Sequence, residues 1–170
     1  MNRSNSIKKI MDEKLASSVP SKLRVGIVGY GKLGKFLAHA ILEDAAVSAV
    51  AELAFVWNRT AGALSEDELL PASAHLAELA NFEERGANLI VEVAHPSISR
   101  TWGAKFLETA DYLVGSPTAL ADPALEKILR DAAASNGGEH RLHQILFYVN
   151  CITEYFTNLI DFLNEYLSYV

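Results

Sequence analysis

The sequence predicts an α/β fold built on a doubly wound parallel sheet. Between Leu23 and about Asn136, short apolar runs alternate with longer amphipathic stretches, which is the pattern of repeated strand and helix units. The apolar runs show little polar alternation, as expected for strands that are covered on both faces. The predicted strands are residues 24–28, 53–57, 89–93 and 112–114. Because crossovers between parallel strands are right-handed, these units form a Rossmann-type sheet whose ligands bind at the carboxyl ends of the strands.

The amphipathic stretches between these runs predict four helices. They cover residues 35–42, a short segment near 75–82, residues 97–109 and residues 123–134. Asp122 is the expected N-cap of the last helix, with Pro123 at its first position. The run from Ser135 to Gly138 is expected to end that helix.

Composition excludes several classes of function. The chain has 170 residues, of which 50% are hydrophobic and 21% charged, so it is expected to fold as one globular domain. Its net charge of -6 argues against nucleic acid as a partner. A single cysteine, Cys151, favours a reducing compartment, and we expect a cytoplasmic protein. Since no uncharged apolar stretch reaches about 20 residues, no membrane association is expected.

The strongest motif is a glycine fingerprint directly after the first predicted strand. Gly29, Gly31 and Gly34 form GxGxxG between a strand and an apolar helix. The first glycine suits a tight turn, the second lets a pyrophosphate approach the backbone, and the third allows close packing of helix and strand. The N-terminus of the helix attracts phosphate. The alternative is a glycine-rich turn that only joins two packed elements. The intervening positions predicted to contact the cofactor are Tyr30, Lys32 and Leu33.

The end of the second strand bears on which dinucleotide is bound. A site that prefers NAD usually places a carboxylate there for the ribose 2′-hydroxyl, whereas this chain has Asn58, Arg59 and Thr60. Arg59 could pair with a 2′-phosphate, with Asn58 and Thr60 as further hydrogen-bond donors. These residues favour NADP over NAD without excluding NAD. The alternative is that Arg59 is a solvated charge at a strand end.

The third and fourth strand ends are expected to face the nicotinamide half of the cofactor. Ala94 and His95 follow the third strand and Ser116 follows the fourth. We expect them to contact the cofactor, although His95 could instead serve only to begin the next helix. Glu92, inside an apolar run, is expected to make a structural hydrogen bond rather than to act in catalysis. No two histidines have metal-ligand spacing, so no metal site is predicted.

These motifs carry a family resemblance. From residue 25 to 121 the sequence resembles the N-terminal cofactor domain of the L-aspartate dehydrogenase family, in particular its animal aspartate dehydrogenase domain-containing members. The matching segments, in order, are GIVGYGKLG, FVWNRT, LIVEVAHP and YLVGSPTALAD. The resemblance implies NAD(P)-dependent oxidation of L-aspartate to iminoaspartate, which hydrolyses to oxaloacetate and ammonia. Homoserine dehydrogenase and dihydrodipicolinate reductase share the architecture, so fold does not choose the substrate.

The resemblance ends near His140, which divides the chain into three predicted regions. Residues 1–22 form a polar leader, residues 23–141 the dinucleotide-binding domain, and residues 142–170 an atypical tail. The tail has no Lys or Arg and holds seven of the fifteen aromatic residues. Residues 145–149 could form a last strand, and an amphipathic helix follows Asn150. That helix would stand in place of the family's second domain and dock on the sheet or on a second copy of the chain.

The missing second domain limits the functional prediction. In the family that domain supplies the catalytic histidine and most of the pocket for L-aspartate, so we assign no catalytic residue in this chain. We expect a truncated form of a longer enzyme, and the alternative is a compact family variant. Two hypotheses remain open: an oxidoreductase, and a catalytically silent nucleotide-binding module.

Overall fold

A computed structural model describes residues 22–60, 62–116, 118–138 and 141–144. Its centre is a five-stranded sheet in the order β2-β1-β3-β4-β5, with every neighbouring pair parallel. The strands are β1 (Leu23–Val28), β2 (Ala51–Trp57), β3 (Leu89–Glu92), β4 (Asp111–Val114) and β5 (Leu142–Gln144). The chain steps from β1 to β2 on one side and returns to place β3 on the other. The predicted doubly wound fold is thus confirmed, with its switch point between β1 and β3.

Helices cover both faces of this sheet. They are α1 (Lys32–Glu43), α2 (Ala45–Val50), α3 (Gly62–Ser65), α4 (Pro96–Thr109) and α5 (Pro123–Ser135), with 3₁₀ turns at Ala72–Ala74 and Leu79–Arg85. On one face Leu37 and Ile41 of α1 pack into a buried cluster. On the other face Phe106 of α4 and Leu129 of α5, both 0% exposed, form a second cluster. Burying each such side chain contributes about 1.5–3 kcal/mol, which explains why continuous apolar strands become the centre of the molecule.

Aspartate side chains cap the N-termini of two of the helices. Asp122 accepts hydrogen bonds from the backbone N–H groups of Ala124 (3.0 Å) and Leu125 (3.5 Å), which confirms it as the N-cap of α5. These bonds, the first of them above all, hold the pKa of the Asp122 carboxyl below its usual range. Asp44 caps α2 in the same way, a short helix that the sequence pattern did not predict.

The predicted helix near residues 75–82 is wrong in its first half. His75 forms a parallel bridge with Val56 on the outer edge of β2, and the Leu76 N–H donates to the Val56 carbonyl (2.9 Å). The helical turn begins only at Leu79. Pairing with the edge of the sheet therefore overrides the local helical spacing at His75 and Leu76.

The sheet continues into the region predicted as the tail, since β5 pairs with β4 from Leu142 onward. Arg141 anchors its start: Nε donates to Asp111 Oδ1 (2.7 Å), and Nη1 donates to the carbonyls of Leu107 (3.0 Å) and Asn136. The leader up to residue 21, the predicted strand at 145–149 and the amphipathic helix after it lie outside the described residues. Within the described ranges no helix has the length and apolar character needed to cross a membrane.

Candidate functional site

The three fingerprint glycines lie on the turn from β1 to α1 and differ in what surrounds them. Gly29 has a φ of 112°, and a Cβ there would lie 2.8 Å from the backbone nitrogen of Ala94. A Cβ on Gly34 would overlap the carbonyl oxygen of Gly29, so the helix can approach the turn only with glycine at this position. A Cβ on Gly31 would meet nothing within 4 Å. Close packing therefore explains the glycines at positions 29 and 34. The space beside Gly31 is open.

The start of α1 offers backbone donors to this space. Gly31 is the N-cap, has no side chain to satisfy the first N–H groups, and accepts the first helical bond from Lys35 (2.9 Å). No acidic residue lies in the first turn, where Lys32 is exposed and Leu33 packs partly against the core. The positive end of the helix, strengthened by Lys32 and Lys35, is suited to an anion.

Tyr30 fixes the fingerprint turn through its buried side chain. It is 3% exposed, and its hydroxyl donates to Asp67 Oδ2 (3.0 Å). His39 Nε2 lies 3.0 Å from the same oxygen and Lys35 Nζ 3.8 Å from it. Burial and the Asp67 carboxylate raise the pKa of Tyr30 above its usual range. The hydroxyl therefore stays protonated and holds the turn against the segment that contains Asp67.

The Asp67 carboxylate is the acceptor at the centre of this group. Burial would raise its pKa, but hydrogen bonds from Tyr30, His39 and the Leu69 N–H outweigh burial and hold the pKa below its usual range. Sequence reasoning missed Asp67 as part of the site, and no motif marks it. It lies in a turn-rich segment 33 residues after Gly34 in the chain and reaches Tyr30 only through the fold.

Asn58 links the fingerprint turn to the end of β2. Its Oδ1 accepts from the Tyr30 N–H (3.1 Å), and its Nδ2 donates to the Thr60 carbonyl (3.0 Å). The Gly29 N–H also donates to the Trp57 carbonyl (2.8 Å). Asn58 thus makes one hydrogen bond within the protein at each end of its carboxamide, which leaves one N–H of its amide for a ligand. The side chains of Arg59 and Thr60 are exposed beside it.

Glu92 organises the turn after β3. It is 0% exposed, and its Oε1 accepts from the backbone N–H groups of Ala94 (2.7 Å) and His95 (2.8 Å). Its Oε2 accepts from Ser99 Oγ (3.2 Å), which also lies 2.8 Å from the Tyr112 hydroxyl. Burial raises the pKa of the Glu92 carboxyl, although the hydrogen bonds partly oppose the shift. The structural hydrogen bonding expected of Glu92 is confirmed.

His95 is the N-cap of α4. Its Nδ1 accepts from the Ser97 N–H (3.2 Å), so His95 begins the helix, as the alternative interpretation expected, and its predicted contact with the cofactor stays a prediction. Its side chain is exposed, as is that of Ala94. Ser116 follows β4, is half-buried, and accepts through its carbonyl from Ala119 N–H (3.1 Å).

The fold brings the predicted site residues together at the carboxyl ends of the parallel strands. They follow the carboxyl ends of four neighbouring strands, β2, β1, β3 and β4. In that order they are Asn58, Arg59 and Thr60; Gly29, Tyr30, Gly31, Lys32, Leu33 and Gly34; Ala94 and His95; and Ser116. Over the described part of the chain, no group of three or more His, Cys, Asp or Glu side chains could hold a metal ion.

Comparison with curated proteins identifies relatives of this chain. The chain is 48% identical over 115 residues to an aspartate dehydrogenase domain-containing protein of Danio rerio, and 47% identical over 116 residues to one of Xenopus tropicalis. It is 37% identical over 115 residues to an L-aspartate dehydrogenase of Brucella anthropi. These alignments cover 68%, 68% and 66% of this chain but only 41%, 40% and 41% of the relatives. The chain thus spans about two fifths of the length of the curated relatives it matches.

Solved structures share the fold at low identity. A scyllo-inositol dehydrogenase from Lactobacillus casei aligns with a TM-score of 0.62 at 15% identity, over 74% of this chain and 37% of that one. The WlbA dehydrogenase from Bordetella pertussis, solved with NADH and UDP-GlcNAcA, aligns with a TM-score of 0.61 at 18% identity, over 83% and 42%. At this identity the likeness supports the fold alone.

A family-level match covers the fingerprint, the four strand ends and the start of β5. It spans residues 29–143, which is more than half of the chain, and the family is described as homoserine dehydrogenase, NAD binding domain. The curated relatives bear out the resemblance to aspartate dehydrogenases. The chain belongs to the family of these NAD-binding dehydrogenase domains.

Proposed function

We propose that this chain is the cofactor-binding part of an NAD(P)-dependent oxidoreductase. The observation that carries the proposal is the open space at Gly31, beside uncapped N–H groups at the start of α1. No contact with the described residues requires a glycine there, whereas a pyrophosphate lying against the backbone does. The residues fit the cofactor: the turn from Gly29 to Gly34 would hold the pyrophosphate, Arg59 and Thr60 the adenosine ribose, and Ala94, His95 and Ser116 the nicotinamide half.

NADP is the preferred dinucleotide in this proposal. The end of β2 has no carboxylate to accept from a 2′-hydroxyl, and Arg59 stands exposed at that position. With Asn58 engaged by Tyr30 and Thr60, a 2′-phosphate would be held mainly by the Arg59 guanidinium.

The proposed reaction is oxidation of L-aspartate to iminoaspartate with reduction of the dinucleotide. Three curated relatives with aspartate dehydrogenase in their names support this substrate. When bound, the nicotinamide ring supplies the hydride chemistry. The described residues bind and orient that ring, and we assign none of them a catalytic role.

A second candidate is a catalytically silent nucleotide-binding module. It is favoured by one observation: the chain matches an NAD binding domain over residues 29–143 and aligns with only about two fifths of each relative. NADPH formation in the presence of L-aspartate separates the two candidates. Turnover supports the enzyme, whereas binding without turnover supports the module.

The binding proposal itself is tested by substituting two glycines of the fingerprint. Gly31→Ala should change the free energy of unfolding by less than about 1 kcal/mol, because its Cβ meets no atom, but should weaken NADPH binding at least about tenfold. Gly34→Ala should destabilise the fold by about 2 kcal/mol or more, because its Cβ overlaps the Gly29 carbonyl. Fluorescence titration and urea unfolding measure the two effects. Unchanged NADPH and NADH binding by Gly31→Ala would contradict the proposal.

A further inference from the structure

The two ring nitrogens of His95 have different surroundings. The Nδ1 atom accepts from the Ser97 N–H (3.2 Å) and lies 2.9 Å from Ser97 Oγ. A ring nitrogen that accepts from a backbone N–H carries no proton, so the neutral imidazole must carry its proton on Nε2. Within the described ranges Nε2 has no hydrogen-bond partner, and the side chain is exposed. Because Nδ1 caps α4, the neutral ring presents its N–H donor at Nε2.

The backbone that carries this donor is held in place. Glu92, fully buried, accepts from the N–H of His95 itself (2.8 Å) and from that of Ala94 (2.7 Å). Ala94 packs directly against the fingerprint turn, since a Cβ on Gly29 would lie 2.8 Å from its nitrogen. His95 is thus one residue away from the contact between the ends of β1 and β3, at the switch point of the sheet.

We propose that His95 has two functions: its Nδ1 caps α4, and its Nε2–H donates a hydrogen bond to an oxygen of the nicotinamide riboside half of the cofactor. This inference rests on the proposed function. With the pyrophosphate at α1 and the adenosine ribose at the end of β2, the nicotinamide riboside extends towards the ends of β3 and β4. Its ribose hydroxyls and carboxamide oxygen are the acceptors that this donor would meet.

Two substitutions separate the functions of the ring. His95→Asn keeps an acceptor near the Nδ1 position, so it should still cap α4, but it lacks a donor at the reach of Nε2. His95→Gln keeps an amide donor near the Nε2 position and loses the cap. Asp122→Ala, which removes the cap of α5 away from the proposed site, is the control for loss of a cap alone.

The measurements are the melting temperature, the affinity for NADPH, and the affinity for adenosine 2′,5′-bisphosphate, which lacks the nicotinamide riboside. His95→Asn should melt near the wild-type temperature and bind NADPH roughly threefold to tenfold more weakly, with unchanged affinity for the bisphosphate. His95→Gln should melt lower, as Asp122→Ala does, and bind NADPH within about twofold of wild type. In the free protein, imidazole ¹⁵N shifts should place the His95 proton on Nε2.

The outcomes distinguish this inference from the function on which it rests. If wild type binds NADPH and His95→Asn binds it equally well, or if the variant loses NADPH and bisphosphate affinity alike, the donor role is overturned while cofactor binding stands. A proton found on Nδ1 overturns it as well. If wild type binds neither NADPH nor NADH, the proposed function falls and this inference with it.

Discussion

Glu92 is a buried carboxylate whose protonation should be visible in stability. Burial raises its pKa above the ordinary value of 4.5, so the native state binds this proton more tightly than the unfolded chain does. The contribution of Glu92 is therefore fully present below that ordinary value and is lost as pH rises through the raised pKa. This change of stability with pH is opposite to that of a salt-bridged carboxylate, whose contribution is lost as pH falls.

Glu92→Gln should remove this pH dependence. The amide keeps an acceptor for the Ala94 and His95 N–H groups and gains a donor for Ser99. We expect the stability of wild type relative to the variant, measured by urea unfolding, to fall as pH rises above the ordinary carboxyl pKa of 4.5. Comparing the two proteins at each pH cancels the titration of every other group. A difference that is constant with pH would contradict the assignment.

Arg59 should set the preference between the two dinucleotides. Arg59→Ala should weaken NADPH binding about tenfold or more and leave NADH binding nearly unchanged, because only the 2′-phosphate pairs with the guanidinium. Isothermal titration with both ligands measures the ratio. Lys127→Ala, an exposed lysine on α5 that pairs with Asp131, is the matched control for loss of one positive charge. An equal loss for both ligands would assign Arg59 to general attraction instead.

The residues of the site differ in how far sequence could reveal them. The fingerprint glycines were predictable because strand, turn and helix are contiguous in the sequence and the GxGxxG spacing stands out there. Asp67 and His39 were not, because the hydrogen bonds of Asp67 to Tyr30 and His39 depend on how distant segments fold together. The sequence placed Asn58 at the site because it follows β2. Its hydrogen bonds to the Tyr30 N–H and the Thr60 carbonyl became visible only in the structure.

At the scale of elements, the Tyr30 hydroxyl joins the fingerprint turn to the segment that contains Asp67. Tyr30→Phe removes the hydrogen bond to Asp67 Oδ2 and leaves the ring packed in the core. We expect faster amide hydrogen exchange across residues 66–70 and little change in the strands. Tyr112→Phe is the control, since it removes a buried hydroxyl that contacts Ser99 instead. Equal exchange in Tyr30→Phe and wild type would show that other contacts fix this segment.

Elements were predicted best where several local signals agreed. Asp122, Pro123 and the apolar spacing after them located α5 to within one residue at its C-terminal end. The region near His75 failed because pairing with β2 decides its conformation, and edge pairing leaves no periodic signal in so short a segment. The sequence pattern did not predict β5, which begins at Leu142 directly after the Arg141 anchor. The strand predicted at residues 145–149 lies outside the described residues.

For the whole molecule, Arg141 connects elements that are distant in sequence. Its guanidinium reaches Asp111 at the start of β4 and carbonyls at Leu107 and Asn136, and both charged side chains are mostly buried. Arg141→Met should lower the free energy of unfolding by about 2–3 kcal/mol, because it leaves the Asp111 carboxylate without this partner and frees the start of β5. Urea unfolding followed by circular dichroism measures the change.

The matched control is an arginine that is paired on the surface. Arg130→Met removes the pairing with Glu126 four residues earlier on α5, and should cost less than about 0.5 kcal/mol. Similar losses in the two variants would mean that Arg141 contributes only as an ordinary surface charge.

The bridge between His75 and Val56 also affects how molecules of this protein meet one another. Outer edges of sheets attract foreign strands, and mispairing there starts aggregation. On the outer edge of β2 the Leu76 N–H already donates to the Val56 carbonyl, and the pairing is limited to this single bridge. An intruding strand would first have to displace this bridge. The Val56 end of the β2 edge is therefore shielded against pairing with a strand of another molecule.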